Sequence, residues 1–274
     1  MPAADPREVL RKHGLWAKKS WGQNFLVDRR ALEEIVRASG ATAEDVVIEI
    51  GAGLGTVTAA LAERAGRVIA IERDRDMVAV LREELGGDPR VEIAEANALT
   101  FDYAAVTAGA GKKPIVVGNL PYQIASPLLF RLLDARASLA RAVVMVQKEM
   151  ADRIVAAPGS KTYGALSVMV QMAGAPRIAW KLAPGAFHPP PKVASAVLAI
   201  DLCAGTRVPV ADEPRFSAVV HAAFGQRRKT LRNALRSIAA PEAIEQAFAT
   251  LGLDGDRRGE TLSVEEFARL ADAL

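Results

Sequence analysis

The chain has 274 residues, 50% of them hydrophobic, enough to bury an α/β core together with a smaller second domain. A single cysteine, Cys203, excludes an internal disulfide framework. The opening MPAADPREVLRKHG has no apolar stretch for export, and no run reaches the length of a membrane span, so a soluble cytoplasmic protein is expected. Net charge is only +3, but Arg11, Lys12, Lys18 and Lys19 form one basic island and Arg227, Arg228, Lys229, Arg232 and Arg236 another, which points to a polyanionic partner.

In chain order, residues 1–28 read as an irregular arm ending in Gly22-Gln23-Asn24-Phe25-Leu26. Asp28 N-caps a predicted helix over Arg29–Ser39, which Gly40 ends. Val46–Ile50 is a buried strand feeding Gly51-Ala52-Gly53-Leu54-Gly55, and a helix opens near Thr56. A second strand, Val68–Ile71, closes on Glu72. An amphipathic helix over Asp74–Leu85 then leads to a third strand, Arg90–Ala94, and to Asn97 just beyond it. Gly109–Lys113 is a loop before the strand Ile115–Gly118 and Asn119-Leu120-Pro121-Tyr122, after which Ser126-Pro127 starts a helix. The strand Ala142–Val146, helices over Lys148–Ala156 and Tyr163–Ala173, and strands at Arg177–Leu182 and Val193–Leu202 follow. Past Gly205 only helices are predicted, at Pro214–Ala223, Arg227–Ile238, Pro241–Thr250 and Ser263–Ala273. The expected organisation is an arm over 1–28, a Rossmann-like α/β catalytic domain over 29–204, and an all-helical domain over 205–274.

Two motifs carry chemistry. Glycines are needed where backbone must turn tightly or touch a ligand with no Cβ between. Glu72 follows Gly51 by about 20 residues, the spacing of an acid that holds ribose hydroxyls. A dinucleotide fingerprint would carry its third glycine where Thr56 stands. The Glu49-x-Gly-x-Gly-x-Gly form instead fits S-adenosylmethionine (SAM), with NAD as the weaker alternative. Asn119-Leu120-Pro121-Tyr122 falls at the carboxyl end of a parallel strand, where open α/β sheets place their sites. The N6 lone pair of adenine is delocalised into the ring. Two acceptors, the Asn119 side-chain oxygen and the Leu120 carbonyl, would draw that amine toward tetrahedral geometry. Pro121 would fix the turn and Tyr122 would offer a face to the base. An ordinary strand-to-helix turn also uses Asn and Pro, but the upstream glycines and Glu72, in this order, favour the chemical reading.

Taken together, Gly22–Leu26, Glu49–Gly55, Asn119–Tyr122, Phe187-His188-Pro189-Pro190-Pro191-Lys192-Val193 and Phe224-Gly225-Gln226-Arg227-Arg228-Lys229 resemble the bacterial KsgA/RsmA family of rRNA adenine dimethyltransferases, over nearly the whole chain. The resemblance implies SAM-dependent N6,N6-dimethylation of two adjacent adenosines near the 3′ end of 16S rRNA, in an assembling small subunit, by a monomer without metal. It also implies that Asn24, Leu26, Gly51, Gly53, Glu72, Asn97 and Asn119 hold the cofactor, and that Phe187 stacks on the target base opposite Tyr122. The RNA contacts would come from Arg227, Arg228, Lys229, Arg232 and Arg236. The family carries Asp where this chain has Asn97. Rival readings are an Erm-type methyltransferase of 23S rRNA and a subunit-assembly factor that keeps only the fold. By itself, Phe187 reads equally as a core aromatic, and a run of like charges as a solvated helix face.

Overall fold

The computed structural model describes residues 5–18, 21–108, 112–202, 205–225 and 229–274. Cys203, part of the Gly109–Lys113 loop, Lys19, Arg227 and Arg228 therefore lie outside the described residues. By internal contacts the chain divides into two compact units, Met1–Ala151 with Arg177–Ala204, and Asp152–Pro176 with Gly205–Leu274.

The first unit is built on a twisted sheet. The sheet's strands are β2 (Val46–Ile50), β3 (Arg67–Glu72), β4 (Val91–Glu95), β5 (Ile115–Asn119), β6 (Arg141–Gln147), β7 (Gly174–Leu182, which enters the first unit at Arg177) and β9 (Ser195–Leu202), in the order β4-β3-β2-β5-β6-β9-β7. A separate two-stranded ladder joins β1 (Phe25–Leu26) to β8 (Phe187–His188). Strands β4 through β6 run parallel, and β9 returns antiparallel to β6. Val47, Ile48, Val116, Val117, Val143 and Val144 are buried, as continuous β-branched runs in a doubly covered sheet should be. Strand order reverses between β2 and β5, so a crevice opens beyond their carboxyl ends, at Gly51 and Asn119.

Helices α1 (Pro6–Lys12), α2 (Arg29–Ser39), α3 (Thr56–Ala62), α4 (Arg75–Leu85), α5 (Tyr103–Ala108), α6 (Ala125–Asp134) and α7 (Lys148–Ile154) connect the strands. Asp28 caps α2 through the Ala31 N–H at 3.1 Å and Gly40 ends it at φ +64°, as predicted. Helix α1 was not predicted. Asp5 accepts from Arg7 N at 2.9 Å with Pro6 at the first helical position, an Asp-Pro start signal inside a stretch read as irregular. Helix α6 begins at Ala125 behind a 3₁₀ turn over Tyr122–Ile124, one residue before the expected Ser126 cap.

The second unit holds α8 (Ala165–Ala173), α9 (Glu213–Gly225), α10 (Leu231–Ala234), α11 (Pro241–Leu251) and α12 (Val264–Ala273). Its core joins Tyr163, Val168 and Met172 to Phe216, Val219, Phe248 and Phe267. The boundary expected at residue 205 therefore leaves out Asp152–Pro176, which belongs here. Helix α8 is apolar nearly all round, so its periodicity does not announce which core it joins. The predicted helix over Arg227–Ile238 is in the described residues only α10 followed by a 3₁₀ turn, Leu235–Ser237.

Candidate functional site

At the end of β2 the chain turns through Gly51, Gly53 and Gly55, all with positive φ (+71°, +55° and +81°). The first two matter for a ligand. A Cβ on Gly51 would sit 3.5 Å from the Asn119 carbonyl oxygen, and one on Gly53 3.1 Å from the Phe25 ring. Bare backbone thus lets the glycine turn, the end of β5 and the N-terminal segment converge. The turn is pinned to β3 by Gly51 N and Ala52 N donating to Ile71 O at 2.9 and 3.2 Å.

Glu72 ends β3 with both oxygens engaged. Oε2 accepts from Gly53 N at 2.9 Å, and Oε1 from Arg73 N at 2.7 Å and Asp74 N at 2.8 Å. A carboxylate has about four lone-pair directions, so three main-chain donors orient Glu72 and still leave it able to accept from a diol. Asp74, 2% exposed, caps α4 through Asp76 N. It also receives Lys18 Nζ and Gln23 Nε2, each at 2.7 Å. Burial pushes the Asp74 carboxyl up, but the bonds from Lys18, Gln23 and Asp76 N outweigh it and hold the group below its ordinary value.

Asn119 ends β5. Its Nδ2 donates to the Asn24 carbonyl at 2.9 Å, and since only the amide nitrogen can donate there, Oδ1 is the end left to accept. Leu120 N bonds Met145 O at 3.1 Å and Ile124 N bonds Pro121 O at 3.0 Å, so the turn is held on both sides. The Tyr122 hydroxyl meets Ser195 Oγ at 2.5 Å, and burial pushes the phenol up.

Asn24, Leu26, Gly51, Gly53, Glu72, Asn97, Asn119, Leu120 and Pro121 all line one cavity of about 440 Å³. That size suits a nucleoside-sized ligand. Two expected residues are not among its walls. Phe187 is 3% exposed and packs with Leu26, Leu182, Ala186 and Val197, so its ring is a core aromatic here and offers no free face. Tyr122 is held outside the lining by its bond to Ser195. Asn97 lines the cavity, but its Oδ1 closes a turn onto Leu99 N at 3.1 Å, which leaves the NH₂ as its uncommitted group. Trp21, Gln23, Gln123 and Ile124 are among its other walls and carry no assigned role in the sequence reading. Gln23 stood within a quoted motif, whereas Gln123 and Ile124 followed one with no signal of their own.

The cavity also contains an unsatisfied acid. Glu49 is 2% exposed, its Oε2 has no hydrogen-bond partner, and burial pushes the carboxyl up to about 8 against the opposing pull of the Thr58 hydroxyl, with the Glu72 charge adding to the rise. A buried carboxyl with an unpartnered oxygen, in a cavity also lined by Glu72 and the glycine turn, fits a nucleoside cofactor that carries an ammonium and a sulfonium. An acid whose folded-state pKa lies above its unfolded value near ~4.3 binds more protons when folded, so stability falls as pH rises between the two. Without cofactor, Glu49→Gln should therefore melt above wild type at pH 8 and converge with it near pH 4. Equal melting temperatures across that range would remove the assignment. Elsewhere His13, Glu83 and Glu84 converge, but Lys12 Nζ already lies 2.6 Å from Glu84 and 3.2 Å from Glu83.

The basic islands are partly neutralised. Lys18 is paired with Asp74 and Asp76, and Lys12 with Glu83 and Glu84. Arg232 is drawn to Glu245 and Asp256 and lies over the Phe248 ring, so part of its charge is offset within the helical unit. Lys229 and Arg236 are exposed and have no ion pair among the described residues.

A mostly parallel sheet with its crevice at the order reversal, a glycine turn backed by Glu72, and an Asn-Leu-Pro-Tyr turn fit a Rossmann-like methyltransferase that uses SAM. The family model for ribosomal RNA adenine dimethylase matches residues 14–274, and the chain belongs to that family. The ribosomal RNA small subunit methyltransferase A of Anaeromyxobacter sp. (strain K) is 51% identical, over 98% of this chain and 97% of its own. That of Myxococcus xanthus is 47% identical, over 98% and 95%. Among solved structures, a dimethyladenosine transferase from Plasmodium falciparum shares the fold at TM-score 0.78 and 24% identity, covering 90% of this chain and 95% of that one. The 23S rRNA methyltransferase ErmE superposes at TM-score 0.71 and 27% identity, covering 92% and 99%.

Proposed function

We propose that this enzyme dimethylates the N6 amines of two adjacent adenosines near the 3′ end of 16S rRNA in the assembling small ribosomal subunit, acting as a cytoplasmic monomer. The observation that carries the reading is the bond from Asn119 Nδ2 to the Asn24 carbonyl, which commits the amide's donor and leaves its oxygen to accept from N6. When bound, SAM supplies a methyl group on a cationic sulfur, so no acid is needed to release the leaving group. Glu72, the glycine backbone and Asn97 would hold the nucleoside part, and Glu49 would face the cationic part. Asn119 Oδ1 and the Leu120 carbonyl accept the two N6 hydrogens. The nitrogen then carries its lone pair out of the ring plane, and once methylated it sheds its proton to water. Positioning of this kind is worth up to ~7–11 kcal/mol. The main test is transfer of labelled methyl groups to undermethylated small subunits, followed by nucleoside analysis. An absence of dimethyladenosine would overturn the reading. Curated relatives at 45–51% identity, all named for the small subunit, support it over the Erm-type alternative, and primer extension across both rRNAs distinguishes the two.

On the helical unit, RNA phosphates fall to Lys229 and Arg236, with Arg227 and Arg228 beside them in sequence. Arg236→Ala should lower the slope of log affinity against log salt by about one. Arg232→Ala should leave the slope alone and lower the melting temperature, because its partners are Glu245, Asp256 and Phe248. The opposite pattern would restore Arg232 to the RNA surface.

A further inference from the structure

The first unit carries a second hollow, of about 320 Å³, walled by α1, the turn that follows it and the end of β8. Helix α1 supplies Arg7 and Arg11. The chain then turns at Gly14, φ +62°, with Leu15 N donating to Leu10 O at 2.9 Å. That turn presents Trp16 with 81% of its surface exposed, against 43% for Trp21 and 38% for Trp180. An indole left this open forgoes the burial that most large aromatics recover on folding, and such residues are enriched at contact surfaces.

The rim around Trp16 is cationic. Arg7 is held by Asp5 at 2.7 Å, whereas Arg11 has no ion pair among the described residues, and the exposed His188 closes the wall. His188 pairs with Phe25 across the β1–β8 ladder, and Phe25 lines the cofactor cavity, so one cross-strand pair links the two hollows. An open aromatic face beside an uncompensated guanidinium matches the chemistry of an unpaired nucleotide. The base stacks on the ring and the phosphate takes the charge. An apolar protein segment would be poorly served by this rim.

We propose that this hollow receives an unpaired nucleotide of the substrate RNA other than the target adenosine, its base stacked on Trp16 and its phosphate on Arg11. The proposal rests on the RNA-methylating reading above and gives the catalytic unit its own point of RNA contact. Two measurements on the full chain test it: binding to a short single-stranded oligoadenylate, and methylation of undermethylated small subunits. Trp16→Ala should weaken oligoadenylate binding, and raise KM for the particle at unchanged kcat, by between about five-fold and about a hundred-fold. Trp16→Phe should recover most of this and Trp16→Leu little. Arg11→Ala should lower the salt slope by about one. The proposal is overturned if Trp16→Ala binds oligoadenylate within two-fold of wild type, or if Leu restores binding as well as Phe, the signature of an apolar protein contact. Failure of the wild-type chain to make dimethyladenosine would sink the functional reading alone, because oligoadenylate binding reports on the hollow directly.

Discussion

Asn119→Ala is expected to lower kcat for methyl transfer by about 100-fold or more, the scale seen when one preorganised hydrogen-bond partner is removed from a transition state. Cofactor affinity should change only a few-fold, because Glu72, held by three main-chain donors, and the glycine turn remain in place. Asn119→Asp separates the two jobs of the amide. It keeps an acceptor for the target amine but loses the donor to Asn24 O, and sets a carboxylate against that carbonyl. The carboxylate variant should therefore keep more turnover than the alanine variant while binding SAM more weakly. Single-turnover transfer and calorimetric titration check both halves. Near-wild-type turnover in the alanine variant would refute the acceptor role.

Local signals in the chain named several residues that share one cavity. Buried runs at Val46–Ile50 and Ile115–Gly118, each followed by residues that suit only a tight or presented turn, put Gly51 and Asn119 at strand ends, and the sheet order makes those ends neighbours. Glu72 followed from spacing alone. What escaped depends on pairings across long separations. Lys18 reaches Asp74 over 56 residues, and Arg232 reaches Glu245 over 13. One pairing gives a lysine of the first basic island a buried carboxylate partner, and the other gives an arginine of the second island acidic partners within its own unit. Phe187 shows the same limit for apolar residues. Its motif is as legible as Asn119–Tyr122, yet whether its ring meets a base or a core is decided by Leu26, Leu182 and Val197, which come from three other stretches of chain.

The anchor at Asp74 carries the second large effect. Its carboxylate joins two things that no local pattern connects, the cap of α4 and the Lys18–Gln23 stretch, while its main-chain N–H separately donates to Glu72 Oε1. Gln23 is one residue from Asn24, whose carbonyl accepts from the Asn119 amide. Asp74→Ala is thus expected to cost about 2 kcal/mol of stability through the lost cap and the unpaired partners. It should also weaken SAM binding about ten-fold or more, as residues that wall the cavity lose their tether. Asp74→Asn keeps a side chain that can cap and accept from Gln23 but gives up the charge facing Lys18, so it should fall between the two. Because the folded-state pKa of Asp74 is depressed, its contribution is complete above the ordinary carboxylate range near ~3.9 and disappears as pH drops through the folded value. Wild type should accordingly lose its advantage over the alanine variant in acid unfolding and keep it at neutral pH. If Asp74→Ala binds SAM as tightly as wild type, the N-terminal stretch is not held over the cofactor by this residue. The Asn24–Asn119 bond would then have to carry that task alone.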